Sequence, residues 1–394
     1  MNELATRFAL GSSIFVSWDG RQHRYTEINL DQLGEQPPAP VVSERSGFVE
    51  TARKIRRRLP IPDKILTVSE RAIRKLLTTT PPNYSDLAPS IALGRGDVLF
   101  VLADWHGSDP EFVKYLIDLN ATGVKLVQMV YDLLPIVTPQ YSGHATESLT
   151  VYSKAIYPLC DLILAISQHT KKDVASWLRQ NKLAIPKIEV IRLGDDFELA
   201  SPVKPGNAYF DGSDKKFLLC VGTIEARKNH TLLYYTYKLA IQKGIELPDL
   251  IIVGRRGWKS DDIYEMMTKD PEIKSKFIIL EKTSDEELSW LYEHCLFNIY
   301  PSFYEGWGLP IAESIAHGAA CICSNTSSMP EIAGDLITYF SPYSTEECLK
   351  AIQNILKPGA IAAAKRRIKA YRPVSWDETA ALVKESIKEL HVKD

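Results

Sequence analysis

The feature that most constrains this chain is an alternation that runs through most of its 394 residues. Short apolar runs rich in β-branched residues are followed by helix-length amphipathic segments. That is the pattern of βα units feeding parallel sheets, and it predicts an α/β fold. The runs fall into two series. The first is IFVSW (14–18), DVLFVLAD (97–104), VKLVQMVYD (124–132), DLILAIS (161–167) and KIEVIRLG (187–194). The second is KFLLCVG (216–222), DLIIVG (249–254), KFIIL (276–280), FNIYPS (297–302), ACICSN (320–325) and ITYF (337–340).

A chain of this length exceeds what one hydrophobic core accommodates, so each series is expected to build its own domain. The polar, Pro/Gly/Asp-rich stretch DDFELASPVKPGNAYFDGSDKK between them reads as an interdomain linker. We therefore expect an N-terminal domain over 1–195, a linker over 196–214 and a C-terminal domain over 215–372. A terminal helix over 373–394 is expected to pack back toward the first domain. After Phe340 the pattern is helical over 344–356, 359–371 and 376–391, broken at Pro358 and Pro373.

Bulk properties exclude several function classes. Apolar residues are 45% and charged residues 24%, an ordinary globular balance, and the net charge of −2 gives no global attraction to nucleic acid. The six cysteines sit mostly in apolar runs such as FLLCVG and AACICS, where a thiol behaves as a small buried hydrophobe. With no flanking ligand pattern we predict no metal and no cofactor. The start, MNELATRFALGSS, reads as a helix without a signal-peptide pattern, and nowhere do about 18 apolar residues run without a charge. A cytoplasmic protein is expected. One local basic stretch stands out, with ten Lys or Arg against three acids over 45–75. It reads either as a surface that meets anionic lipid head groups on the inner face of the membrane or as a solvated helix face.

The strongest chemical signal is FYEGWGLPIAESIAHG (303–318). A strand is expected to end at Tyr300, and a loop then carries Glu305, Gly306 and Gly308. Leu309-Pro310 opens a helix that includes Glu313. Glycines followed by Pro in a first helical turn shape a backbone that brings N–H groups close to an anion. Glu305 and Glu313 are eight positions apart and can face one mouth, where a carboxylate binds sugar or ribose hydroxyls. The second signal is VGTIEARKNH (221–230), directly after the first strand of the second series. Gly222 allows a tight turn there, while Arg227 and Lys228 supply adjacent cations at a sheet edge where open α/β folds bind ligands. SDEEL (284–288) is a capping box. Its neighbours Lys282 and Thr283, and the GRRGW loop (254–258), read either as donor contacts or as surface.

These motifs resemble the retaining glycosyltransferases of family 4, whose GT-B fold sets two Rossmann-like domains with parallel sheets facing across an interdomain cleft. The resemblance runs from about residue 97 onward. It rests on Glu305 and Glu313, the VGT-E-RKN segment, YDLLP (131–135), AISQHTKKD (165–173) and the terminal SWDETA (375–380). It implies that Glu313 binds the donor ribose and that Glu305 touches the transferred sugar. Lys228 and Arg227 would hold the diphosphate near Gly222 and Thr223, with the amides of Gly306, Trp307, Gly308 and Leu309 holding the same donor. Thr223 stands where many members have Arg, a cation that Arg227 would replace. Asp132 stands where many relatives carry a His facing the reacting sugar, and it reads either as an active-site carboxylate or as a helix cap. The relatives' opening strand and Gly-rich loop are not recognisable at the start of this sequence.

The chain has no pair of aspartates spaced two apart to hold a metal-bound diphosphate. Cations and a helix N-terminus would then meet the leaving-group charge. The resemblance implies a retaining hexosyltransferase acting from a nucleotide sugar on a glycan or lipid-linked glycan, with mannose from GDP-mannose as the first candidate. Two other readings stand beside it: a nucleotide-sugar 2-epimerase, and a catalytically silent donor-binding domain of a larger glycan assembly machine. A nicotinamide dehydrogenase is excluded, since no G-x-G-x-x-G follows any strand.

Overall fold

The computed structural model describes residues 93–102, 110–142, 145–211 and 215–391, together with the backbone of two short strands nearer the start. Those strands, β1 (Val16–Asp19) and β2 (Arg24–Glu27), pair antiparallel as a separate two-stranded sheet within a unit spanning Ala9–Ile91. This corrects the expectation that the IFVSW run belongs to the first parallel series. Only four residues separate the two strands, whereas a parallel crossover needs a dozen or more, so a hairpin is the available connection. The expected N-terminal helix and the basic stretch 45–75 lie outside the described residues.

The remaining chain, from Ala92 on, forms one compact unit around two parallel sheets. The first has order β3-β4-β5-β6, from β3 (Val98–Val101), β4 (Lys125–Val130), β5 (Leu162–Ala165) and β6 (Lys187–Val190). Helices α1 (Pro110–Ala121), the short α2 (Leu134–Val137), α3 (Ala145–Ile156) and α4 (Gln168–Gln180) connect them. The second sheet contains β7 (Phe217–Val221), β8 (Asp249–Val253), β9 (Phe277–Leu280), β10 (Asn298–Tyr300), β11 (Cys321–Ser324) and β12 (Thr338–Phe340). Its order is β12-β11-β10-β7-β8-β9, parallel throughout. All five residues of β7 are buried, as expected of a strand covered on both faces by helices. Those helices include α5 (His230–Gln242), α6 (Asp261–Lys269), α7 (Asp285–His294), α8 (Leu309–Ala316), α9 (Met329–Ala333), α10 (Thr345–Leu356) and α11 (Ala360–Arg367). All six cysteines are free and buried.

The strand order places the site. From β7 the chain winds outward to β8 and β9, then returns to the other side of β7 at β10 and winds outward again. The loops after β7 and β10 therefore diverge, and the crevice between them is where open α/β sheets bind ligands.

The two sheets share one apolar cluster. Val127, Met129 and Leu164 of the first sheet pack with Trp307, Ile311, Cys323 and Ile332 of the second. The terminal helix α12 (Trp376–His391) contributes Ala380 and Val383 to the same cluster. It lies along the first sheet, where Lys125 Nζ donates to Leu390 O (2.6 Å) and Lys187 pairs with Glu389 (2.9 Å).

The chain runs between the sheets twice, once after β6 and again before α12, and Asp195 joins the two passages. Its buried carboxylate accepts from Arg192 Nη2 (2.6 Å), from Val374 N (2.7 Å) and from the Tyr371 hydroxyl. Arg192 lies over the rings of both Tyr371 and Trp307, 5.5 and 5.4 Å from their centroids. Removing this carboxylate leaves the part-buried Val374 amide without its acceptor and the Arg192 guanidinium with only the Tyr371 hydroxyl (2.7 Å). Asp195→Ala is therefore expected to lower unfolding free energy by about 3 kcal/mol in urea titrations. Asp195→Asn, which keeps the amide acceptor, is expected to lose less.

Candidate functional site

The turn after β7 and the loop after β10 are joined by buried charge. Glu305 is 8% exposed. One of its carboxylate oxygens pairs with Arg227 Nη1 (2.6 Å), and the other receives Lys228 Nζ (2.8 Å) and the Tyr300 hydroxyl (2.9 Å). Arg227 also binds Glu225 (2.7 Å) and the Tyr304 carbonyl (3.0 Å). Lys228 directs a second N–H to Tyr300 Oη (2.6 Å), which leaves the third of its ammonium donors. Its side chain runs alongside Gly222, which follows β7 with φ +149°.

This cluster sets the ionisation of its members. Burial alone would raise the Glu305 carboxyl, but the Arg227 and Lys228 charges hold it down to about 2. Lys228 is lowered by burial and by the neighbouring Arg227, against the opposing pull of Glu305. Arg227 is raised: burial works against its charge, and Glu305 and Glu225 outweigh it.

Beyond Glu305 the loop is fixed from two sides. Ser327 Oγ accepts from Glu305 N (2.9 Å), and the single Ser328 hydroxyl proton is shared between the carbonyls of Glu305 (2.9 Å) and Trp307 (2.8 Å). Gly306 passes so close to the first sheet's loop that a Cβ would meet the Tyr131 carbonyl at 2.3 Å and Asp132 at 3.1 Å. Gly308 precedes α8 with φ +118°, a conformation that side chains disfavour. Leu309 and Pro310 then open α8; Pro310 has no N–H to satisfy, and Ile311 N bonds the Gly308 carbonyl (3.0 Å). Trp307 is buried in the shared apolar cluster. Thr223 is exposed beside the turn.

Glu313 lies in the second turn of α8 and receives the Tyr292 hydroxyl (3.0 Å). Burial raises its pKa, and the Lys228 charge acts on it in the opposite sense. Asp132 follows β4, and its Oδ1 accepts from Leu134 N (2.8 Å), a turn-closing bond at the start of α2. Its charge contributes to raising Tyr304, after burial and Asp173. The carboxylate thus closes a turn and also lies near the loop that carries Glu305. Past the ends of β8 and β9, a cavity of about 580 Å³ is lined by Gly254, Arg255, Glu281, Lys282, Thr283 and Ser284. It adjoins the β7 turn, since Gly254 approaches the Gly222 carbonyl and Ile224 N bonds Arg255 O (2.8 Å). Ser284 and Glu287 form the expected capping box of α7.

The sequence reading did not assign several residues that hold this arrangement. Asn229, buried with φ +58°, donates from Nδ2 to the carbonyls of Pro301 (3.1 Å) and Pro342 (2.9 Å), binding three loops together. Glu331 of α9 accepts from Gln168 N (2.7 Å) and His169 N (2.8 Å) at the start of α4, and the Tyr304 hydroxyl donates to Asp173 (2.6 Å). Asn229 stood in the RKN run. Tyr300, Ser327, Ser328 and Glu331 are ordinary in sequence and become visible only once the strands are assembled.

Residues 208–372 match the model of the family "Glycosyl transferases group 1". This stretch is thus similar to a group 1 glycosyl transferase domain. Among curated proteins it is 26% identical over 278 residues to the serotype-specific mannosyltransferase WbdA of Escherichia coli, covering 68% of this chain and 34% of that one. It is 28% identical over 218 residues to the O-antigen chain mannosyltransferase B of the same species, covering 54% and 56%. The chain thus spans about a third to a half of these relatives. Among solved structures, a sucrose-phosphate synthase of Thermosynechococcus elongatus matches with TM-score 0.57 and 18% identity, covering 75% of this chain and 74% of that one. Anabaena Alr3699/HepE in complex with UDP matches with TM-score 0.56 and 15% identity, covering 74% and 79%. The solved structures show the GT-B fold, and Glu305, Glu313, Arg227 and Lys228 all lie inside the matched residues 208–372.

The ionisation of Glu305 has a measurable consequence. Its carboxyl titrates near 4.5 in the unfolded chain and about 2 in the folded one. Between these values the unfolded state binds more protons, so stability present above pH 4.5 is lost as pH falls toward 2. The amount is on the order of 3 kcal/mol. Glu305→Gln is expected to be less stable than wild type at pH 7 and to lose stability less steeply over this window in urea titrations.

Proposed function

We propose that the chain is a cytoplasmic, metal-independent, retaining hexosyltransferase. It would move mannose, with GDP-mannose as the first candidate donor, onto a glycan or lipid-linked glycan. The observation that carries this reading is the meeting of Arg227, Lys228, Glu305 and the α8 N-terminus at the crevice between β7 and β10. Two cations beside the backbone amides of the Gly306–Leu309 loop are suited to a diphosphate. The mannosyltransferase relatives support the choice of sugar.

In this reading the donor diphosphate lies against Lys228, Arg227 and the amides of Gly306 to Leu309, near Gly222 and Thr223. Its base enters the cavity beside Lys282 and Thr283. Glu313 takes the ribose hydroxyls and Glu305 the sugar. As the anomeric bond breaks, negative charge grows on the leaving phosphate, and preorganised cations stabilise that charge more than they do the ground state. The acceptor hydroxyl attacks the face the diphosphate leaves, and a donor phosphate oxygen takes its proton, so configuration is retained without a protein nucleophile. Asp132 steadies positive charge on the anomeric carbon or orients the acceptor.

A ligand that binds only the folded state raises the melting temperature by mass action. With EDTA present, one member of a panel of nucleoside diphosphates and their sugars is expected to stabilise the wild type by several degrees. The shift is expected to be absent in Lys228→Ala and Glu313→Ala. No shift with any nucleotide would contradict this reading.

A further inference from the structure

Three aromatic rings meet beside the loop that carries Glu305, and the donor reading gives them no role. Tyr141 ends the turn Pro139–Tyr141 after α2, on the segment that leaves the C-terminal end of β4. Phe303 lies on the loop leaving β10, and Tyr343 on the segment leaving β12. Both sheets therefore send aromatic side chains from their C-terminal edges to one place. The Tyr141 and Phe303 rings stack with centroids 5.5 Å apart and planes 7° from parallel. Phe303 and Tyr343 follow at 5.2 Å, tilted by 32°. Tyr343 is 75% exposed, more than any other large hydrophobic side chain among the described residues.

The rings are held rather than loosely placed. Asn229 binds the carbonyls of Pro301 and Pro342, which adjoin the Phe303 and Tyr343 segments. Lys259 Nζ donates to Gln140 O (2.9 Å) and fixes the Tyr141 turn. Phe303 N bonds the Arg227 carbonyl (3.0 Å), so the aromatic row and the cation turn share a backbone contact. Phe303 precedes Glu305 by two residues, a span of at most about 7 Å.

We propose that Tyr141, Phe303 and Tyr343 form a stacking platform for a pyranose ring of the glycan acceptor, an assignment that rests on the glycosyl-transfer reading of the adjacent crevice. A pyranose presents faces of C–H bonds that suit the negative face of an aromatic ring. Its hydroxyls need a polar rim, which the exposed Gln140 and the neighbouring Ser341 provide. A buried core would leave no ring as open as Tyr343, and a peptide or lipid partner gains nothing from this proximity to Glu305. The donor's anionic groups are matched to the cations Arg227 and Lys228, which leaves the uncharged saccharide for the rings.

The test uses an α-linked mannotetraose, titrated by NMR into the full chain as wild type, Tyr343→Ala and Tyr343→Phe. Melting shifts with GDP and UDP are read in the same samples. Because Tyr343 is exposed, its replacement has little effect on folding. Tyr343→Ala is expected to weaken tetrasaccharide binding about fivefold, with Tyr343→Phe within twofold of wild type and the nucleotide shift equal in all three. Equal binding by wild type and Tyr343→Ala overturns the platform. So does a wild type that binds a nucleotide but not the tetrasaccharide, and in both cases donor binding stands. A protein that binds neither nucleotide refutes the underlying reading, and the platform falls with it.

Discussion

Everything at the crevice depends on how the Glu305 carboxylate is satisfied. A carboxylate this deeply buried persists ionised only with charged partners and further hydrogen bonds, and Arg227, Lys228 and Tyr300 supply both. The bonds run between the turn after β7 and the loop after β10, two segments that the sheet topology alone would let diverge. Once they are joined, the backbone from Glu305 onward has a fixed course. Gly306 is pressed against the first domain, Gly308 turns the chain, and α8 begins with its amides at the mouth of the crevice. The same pairing holds Lys228 beside Gly222 with one donor to spare.

The first domain is engaged by the same loop. Tyr304 reaches Asp173, Gly306 meets the Tyr131 carbonyl, and Glu331 caps α4 a few residues beyond the serines that hold the loop. The segment that would hold a donor thus makes direct contact with the face that would hold an acceptor. A shared apolar cluster and the Asp195 junction set the two sheets together around it.

Much of this was legible in the residues. The β strands of both parallel sheets from 97 onward fall where apolar runs occur, because a strand covered on both faces is continuous in its hydrophobicity. The start of α8 followed from Gly-x-Gly before Leu-Pro, and the capping box at Ser284 from its spacing. The IFVSW run misled because apolar alternation carries no information about pairing direction, which the short connection to Arg24 decided. Glu305 and Lys228 stood out in the sequence as candidate site residues, but their mutual pairing did not, since 77 residues separate them. Tyr300, Asn229 and Glu331 act through partners brought close only by the strand order, and no local pattern marks them. Asp132 closes the turn at the start of α2, and it also lies beside the Gly306 loop.

The central claim is that Glu305 holds two cations in place for a diphosphate. It is tested most directly by titration calorimetry of the preferred nucleoside diphosphate against its monophosphate, in wild type and in Lys228→Ala. A charge-assisted contact to the second phosphate predicts that wild type binds the diphosphate at least about tenfold more tightly, and that the variant loses most of this difference. Equal affinity for the two nucleotides in wild type, or an undiminished preference in Lys228→Ala, would contradict the account.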